Sequence, residues 1–263
     1  ALTERFAAKR NLCAAFLQSL TVFLVTLPVI SYWFFSLPPY GILLNLLVIP
    51  MTGALLLLGF VLLAAAFAAP PLALLCGQIL HLALGAQILL CRLAACLPFH
   101  RILLGRPRGW QLAVYSVCLA LGFRLLLGRD SRPKEKRQRE LRRVLLLCAA
   151  LGAGLSLLPI RSRVPRVWVL DIGQGDAIVI EQGSRCITID GGSTSRPDCG
   201  KQVIEPFLES RALGTVNTAF LTHADLDHTN GLSYLASRGS GIPVKRVILN
   251  PAAETDAHYA KLM

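Results

Sequence analysis

Residues 223–228 read His-Ala-Asp-Leu-Asp-His and put four side chains able to bind a metal, His223, Asp225, Asp227 and His228, within six positions. A neutral imidazole offers a nitrogen lone pair and a carboxylate a hard oxygen, a set that suits a divalent first-row ion. Four such groups gathered where a buried strand ends are costly to desolvate unless an ion satisfies them. The alternative is a solvated acidic loop that carries two unrelated histidines.

Strand-like runs precede the cluster. Val167-Trp168-Val169-Leu170-Asp171 alternates and is β-rich, and Ile172–Asp176 is a glycine turn. Ala177–Glu181 is a second strand, and Cys186–Asp190 a third that ends in Gly191-Gly192-Ser193. Val203–Leu213 has helical apolar spacing, with Pro206 near its start and Gly214 placed to stop it. Thr218–Thr222 then delivers the His/Asp loop as a turn leaving a buried strand. Asp190 stands at a strand end beside glycines. There it either orients a ligand histidine from behind or serves as a simple turn residue. Asp171, Gln174 and Asp176 flank Gly173 and Gly175, which either let backbone amides approach an anion or form a plain hairpin. His258 has no local partner and reads as a surface residue.

The first 160 residues are of another kind. The chain is 54% hydrophobic with a mean hydropathy of +0.56, beyond what a soluble domain usually reaches. Apolar runs at 12–35, 41–69, 72–97, 110–127 and 144–160 are each near or above the ~20 residues that cross a bilayer. Pro50 is expected to divide 41–69 into an interfacial or re-entrant piece, 41–49, and a helix after it. The net charge of +12 suggests a nucleic-acid binder, but residues 1–160 hold 16 Lys/Arg against 4 Asp/Glu, whereas 161–263 hold 11 of each. Eight of those 16 basic residues, with three acidic ones, lie in 129–143, between two apolar runs, which marks a cytoplasmic loop by the positive-inside rule. The domain after residue 160 then lies outside the cytoplasmic membrane. Arg5, Lys9 and Arg10 agree with that orientation, whereas Arg101, Arg106 and Arg108 run against it. Gln78, His81, Gly85 and Arg92 share one arc of a helix at ~100° per residue. Such a stripe either lines an aqueous path or supports helix–helix hydrogen bonding, with Arg92 snorkelling. Six of the eight cysteines lie in or beside apolar runs and act as small apolar residues; Cys186 and Cys199 are either a pair or free thiols.

Three motifs in order, Leu170–Asp176 (LDIGQGD), Ile187–Gly192 (ITIDGG) and Thr222–His228 (THADLDH), resemble the first half of an αββα metallo-β-lactamase-type domain, in the version fused to bacterial DNA-uptake channels of the ComEC family. TLPVISYWF (Thr26–Phe34) and LLNLLVIP (Leu43–Pro50) resemble the membrane domain of the same family. The family's usual cluster is His-x-His-x-Asp-His, and Asp225 stands here in place of the second histidine.

The resemblance implies a multi-pass helical membrane domain, residues 1–160, followed by the N-terminal half of the αββα domain, residues 161–263. It implies two divalent ions, one on His223 and Asp225 and the other on Asp227 and His228, with Asp227 and His228 needed for catalysis. Asp225 tilts the choice from zinc toward manganese or magnesium. Asp190, Asp171, Gln174 and Asp176 fall at the edge of the site, and Gln78, His81 and Arg92 are the candidates for a transport path if their stripe faces one. The implied function is uptake of single-stranded DNA across the cell membrane, with an extracytoplasmic nuclease-like domain. Its partners are DNA, membrane lipid and other uptake components, and an oligomer is allowed. A fragment holding half of the hydrolase domain is expected to be inactive. Two rivals stand beside this reading: a membrane-anchored hydrolase of a small substrate, and a DNA transporter whose αββα domain is a dead binding module.

Overall fold

The computed structural model describes residues 2–127, 136–237 and 241–249. Residues 128–135 of the basic loop and His258 lie outside the described residues. The chain divides into two compact units, one of Ala1–Pro28 with Leu37–Ile102, the other of Val29–Ser36 with Leu103–Met263. Two-residue strands, β1 (Ser36–Leu37) and β2 (Ile102–Leu103), stand where the chain changes unit.

Helix α1 (Leu2–Phe34) begins in the first unit, and α2 (Gly41–Ala68) and α3 (Pro70–Ala95) pack as a pair within it. Leu and Ala dominate α2 and α3, and Pro70 opens α3 in the first turn, where its missing N–H costs nothing. The expected break at Pro50 does not occur, and α2 runs unbroken through it. Proline removes one backbone bond, but in an apolar segment every other N–H still needs its helical partner, so the helix continues. The Thr52 hydroxyl donates to Val48 O (2.7 Å) across the same turn. At 28 residues α2 is about 42 Å long, enough to cross a bilayer only with tilt.

In the second unit, α4 (Gly109–Leu127) and α5 (Lys136–Ser156) form an antiparallel hairpin. Gln111 Nε2 donates to Ser156 O (2.6 Å) at one end, Arg142 Nη2 donates to Leu126 O (3.3 Å) at the other, and Gly152 faces Cys118 between them. Among the described residues four helices are long and apolar enough to cross a membrane, over Cys13–Phe34, Gly41–Ala68, Pro70–Ala95 and Gly109–Leu126. The fifth expected span, 144–160, is not among them. Its helix starts earlier, on basic residues, and ends at Ser156. It nevertheless lies along the full length of α4.

The rest of the second unit is a sheet in the order β3-β4-β5-β6-β7, formed by Arg166–Val169, Ile178–Gln182, Arg185–Ile189, Thr218–Leu221 and Val247–Leu249. β3, β4 and β5 run antiparallel, whereas β5–β6 and β6–β7 are parallel. A parallel pair needs a crossover. The first is a π-helical turn (Gly200–Ile204) leading into α6 (Glu205–Ser210), and the second contains α7 (Leu226–Ala236). The helix expected over 203–213 therefore begins earlier and stops sooner. Ala212 reverses the chain at φ +56°, and Leu213 N–H closes the end on Leu208 O (2.9 Å). The Leu213 side chain is buried, and burying it outweighs the strain of a left-handed alanine.

Strand alternation sorts the two sheet faces. Val179, Cys186, Thr188, Ala219 and Leu221 face the crossovers and pack with Ile204, Leu208, Leu232 and Leu235 in the core. Val167, Val169, Ile178, Ile180, Ile187, Ile189, Phe220 and Ile248 alternate with them and are left partly or fully exposed. Glu181 is buried and held by Arg211, whose Nε donates to Glu181 Oε2 (3.0 Å). Cys186 and Cys199 are both free and buried. Burial, with a smaller push from Glu181, raises the Cys186 thiol to about 12, so it behaves as a core residue.

Candidate metal centre

The His/Asp run is divided between a loop and a helix. β6 ends at Leu221, Thr222–Asp225 form the loop, and α7 starts at Leu226, so Asp227 and His228 sit in its first turn. His228 N–H donates to Asp225 O (3.0 Å), which closes that turn. The helix was not foreseen. Leu226, Leu232 and Leu235 are too few and too close to the ligand cluster to read as a periodic face.

Three of the four expected ligands converge. Ligand atoms of His223, Asp227 and His228 lie within 4.8 Å of one another, and the two imidazole rings stand 3.6 Å apart by centroid. His228 Nε2 is 3.8 Å from Asp227 Oδ2. Asp225 stands at the rim, with 74% of its side chain exposed and Oδ2 3.6 Å from His223 Nε2.

Asp190 organises both histidines. It ends β5 at φ +54° and is buried. Thr222 N–H donates to its Oδ1 (2.9 Å), and the Thr222 hydroxyl to its Oδ2 (2.7 Å). A carboxylate can only accept, so the single hydroxyl proton of Thr222 is committed to Asp190. Thr222 Oγ1 therefore accepts from His223 Nδ1 at 2.9 Å, which leaves His223 Nε2 with its lone pair. His228 Nδ1 lies 3.0 Å from Asp190 Oδ2. That is ion-pair distance, but off the line a hydrogen bond requires, and this buried Nδ1 has no aligned partner. The distance is the firmer guide, because a small ring rotation aligns the pair. Both histidines thus turn Nδ1 toward the Asp190–Thr222 pair and Nε2 toward the carboxylates. Two bare imidazole nitrogens beside Asp227, with no basic side chain among the described residues paired to these carboxylates, are a donor set that fits a divalent cation.

Glycines let the backbone close around the centre. Gly175 (φ +149°) lies so close to Gly192 and Asp227 that a Cβ would overlap their carbonyl oxygens. A Cβ on Gly192 would strike the backbone of Leu226, His228 and Thr229. Asp176 N–H donates to Asp227 O, and Gly192 N–H to Asp176 O, each at 3.3 Å. The glycine turn is therefore a wedge between the strand-end loop and α7, not an open anion cradle. Gln174 acts through its backbone, its N–H donating to Ser195 Oγ (2.8 Å) and its carbonyl accepting from Thr194 N–H (2.9 Å). Asp171 is exposed. Its Oδ1 accepts weakly from Gly173 N–H (3.4 Å), and its carbonyl accepts from Arg196 Nη1 (3.2 Å).

Asn230 was missed by the sequence reading. Its Oδ1 accepts from Ser193 N–H (3.0 Å) and from the Cys199 thiol (3.2 Å), while Nδ2 donates to Ser193 O (2.7 Å), clamping the glycine loop to α7. Two residues beyond His228, it looks like an ordinary helix-surface polar residue in the sequence. In the membrane helices, Gln78 and His81 line an open apolar groove between α2 and α3, and Arg92 is exposed in the last turn of α3. The hydrogen bond between those helices is made by another residue, Gln87, whose Nε2 donates to Thr52 Oγ1 (3.2 Å).

The family model described as "Competence protein" matches residues 2–129, and that of the metallo-beta-lactamase superfamily matches residues 170–260. No curated protein and no solved structure matches the chain significantly. The two matches, in this order on one chain, fit a ComEC-type competence fragment whose second region carries this His/Asp centre.

Proposed function

We propose that this chain is part of a membrane DNA-uptake protein whose metallo-β-lactamase-like domain cleaves phosphodiesters outside the cytoplasm. The observation that carries the reading is the convergence of His223, Asp227 and His228, held by Asp190 and Thr222, on a chain whose first half matches the competence family. One or two divalent ions on these residues, with Asp225 at the rim, would supply Lewis-acid polarisation of a phosphoryl oxygen and a lowered water pKa. The protein's part is positional. Asp190 keeps the Nδ1 proton on His228, Thr222 keeps it on His223, and the glycine wedge fixes Asp227 at the start of α7.

The orientation is supported by the α4–α5 hairpin. Arg142 stands at the end of α5 beside Leu126, and the hydrolase-like domain follows from the end beside Gln111. If the basic end is cytoplasmic, the domain is external. Gln78, His81 and Arg92 are left for a polar path, since Gln87 makes the helix-to-helix bond. The domain division at about residue 160, the link to other uptake components and self-association belong to the same proposal.

The test is DNA cleavage by the purified full-length protein of which this chain is part, across magnesium, manganese and zinc, with Asp225→His beside the wild type. Manganese is expected to serve the wild type best, and the histidine variant should shift toward zinc, because imidazole suits the softer ion. An unchanged metal order would contradict the role given to Asp225.

A further inference from the structure

Residues 104–108 lead into α4 and are fastened to the end of α6. Gly105 (φ +70°) has no room for a Cβ beyond 3.0 Å from Ser210 O, Arg106 N–H donates to Ser210 O (2.7 Å), and Arg161 Nη2 donates to Ala212 O (3.3 Å). Beside these contacts lies a cleft of about 440 Å³. Its polar lining includes Arg106, Arg108, Arg211, Gln111, Tyr32 and Trp168, with Ser210, and no acidic residue lines it.

The donors in this cleft outnumber its acceptors. Arg211 is neutralised by Glu181 and stacks on Trp168, its guanidinium carbon 5.0 Å from the ring centroid. Gln111 is spent, its Oε1 accepting from Arg108 N–H and its Nε2 donating to Ser156 O. Arg106 lies over the Tyr32 ring at 4.4 Å. Among the described residues no carboxylate pairs with the guanidinium of Arg106 or of Arg108, and the enclosed Trp168 Nε1–H has no partner. Two exposed, unneutralised guanidiniums beside a buried, unpartnered N–H suit an anion with several oxygens, and phosphate is such an anion.

The place of the cleft selects the phosphate. Glu181, which Arg211 holds, pairs with Cys186 toward the end of the sheet opposite Asp190 and the His/Asp loop, whereas Trp168, paired with Val179, stands nearer the Asp190 end. The cleft also adjoins Gln111 and Pro159, where α4 starts and α5 has ended, and Trp110 there is exposed as interfacial tryptophans are. We infer that this cleft binds the phosphate of an anionic phospholipid headgroup and seats the hydrolase-like domain on the membrane surface. It also gives Arg106 and Arg108 a use that the charge rule leaves unexplained. The inference rests on the reading that α4 crosses the bilayer, and not on nuclease activity.

The full chain carries three tryptophans, Trp33, Trp110 and Trp168, so a Trp33→Phe, Trp110→Phe background leaves Trp168 as the reporter. In mild detergent this protein is titrated with short-chain phosphatidylglycerol and with short-chain phosphatidylcholine, read by fluorescence. Phosphatidylglycerol should bind at least tenfold more tightly. Arg106→Gln with Arg108→Gln should remove that preference, whereas Arg137→Gln with Arg139→Gln, at the other end of the hairpin, should keep it. Arg106→Lys with Arg108→Lys should retain part of it, which separates loss of charge from loss of fold. Equal binding of the two lipids, or a preference that survives the glutamine variant, overturns the inference. So does an oligothymidylate that binds more tightly than phosphatidylglycerol and loses its binding in the glutamine variant. DNA cleavage measured on the same samples reports on the metal centre separately.

Discussion

At Asp190 one buried carboxylate receives Thr222 N–H and the Thr222 hydroxyl and faces His228 Nδ1, so the tautomers of both histidines depend on it. Asp190→Asn replaces an oxygen with an amide donor and removes the charge that favours Nδ1–H. Outer partners of metal ligands are worth about 10–100-fold in affinity, so the variant should bind manganese that much more weakly while keeping its helical circular dichroism. Calorimetric titration with the metal checks this, and wild-type affinity would leave Asp190 a turn residue. Gly192→Ala tests the packing beside it. Backbone, not a flexible side chain, occupies the space a Cβ needs, so the loss of stability should fall at the upper end of the ~1–3 kcal/mol typical of overpacking. Denaturant unfolding of the domain measures it. The convergence of His223, Asp227 and His228 was legible in the sequence because His and Asp at this spacing stand out. The part played by Thr222 and Asn230 was not, since a hydroxyl or an amide gains its role only when the fold places a partner beside it.

Among the elements, the strands were the most legible. β3, β4, β5 and β6 fall within a residue or two of their β-rich runs, because β-branched residues bounded by turn signals mark strands in the sequence. The helices around them were less so. α7 is short, begins on the ligands themselves and buries Gly231 against Cys199, so no apolar face marks it. α6 ends at a left-handed Ala212, not at Gly214, because Leu213 must reach the core. Pro50 misled in the opposite direction, since the rule that proline breaks helices is weakest where no water can take up freed backbone groups. α5 carries its basic residues inside the helix, which hides its apolar second half from a composition test. Its antiparallel packing on α4 makes a further prediction. In intact cells an impermeant thiol reagent should label Ser237→Cys and spare Arg137→Cys, in a background whose exposed native cysteines are replaced. The reverse pattern would put the hydrolase-like domain in the cytoplasm.

For the molecule as a whole, charge and hydropathy separate the two halves plainly: one carries the basic excess and four apolar helices, the other equal numbers of acidic and basic residues and a mixed sheet. In the proposed function the two halves meet at the metal centre, where a DNA-uptake protein would cleave phosphodiesters. The sheet face formed by Val167, Val169, Ile178 and Ile189 is apolar and uncovered by the described residues, as expected of a layer that packs against another. The most direct measurement is the rate at which the purified full-length protein cleaves a labelled DNA duplex with manganese, wild type against Asp227→Ala. Removing this carboxylate takes away one of three converging ligands, so the rate should fall by about two orders of magnitude or more. Cleavage by Asp227→Ala at the wild-type rate, with any metal in the series, would contradict a metal-dependent phosphodiesterase at this site.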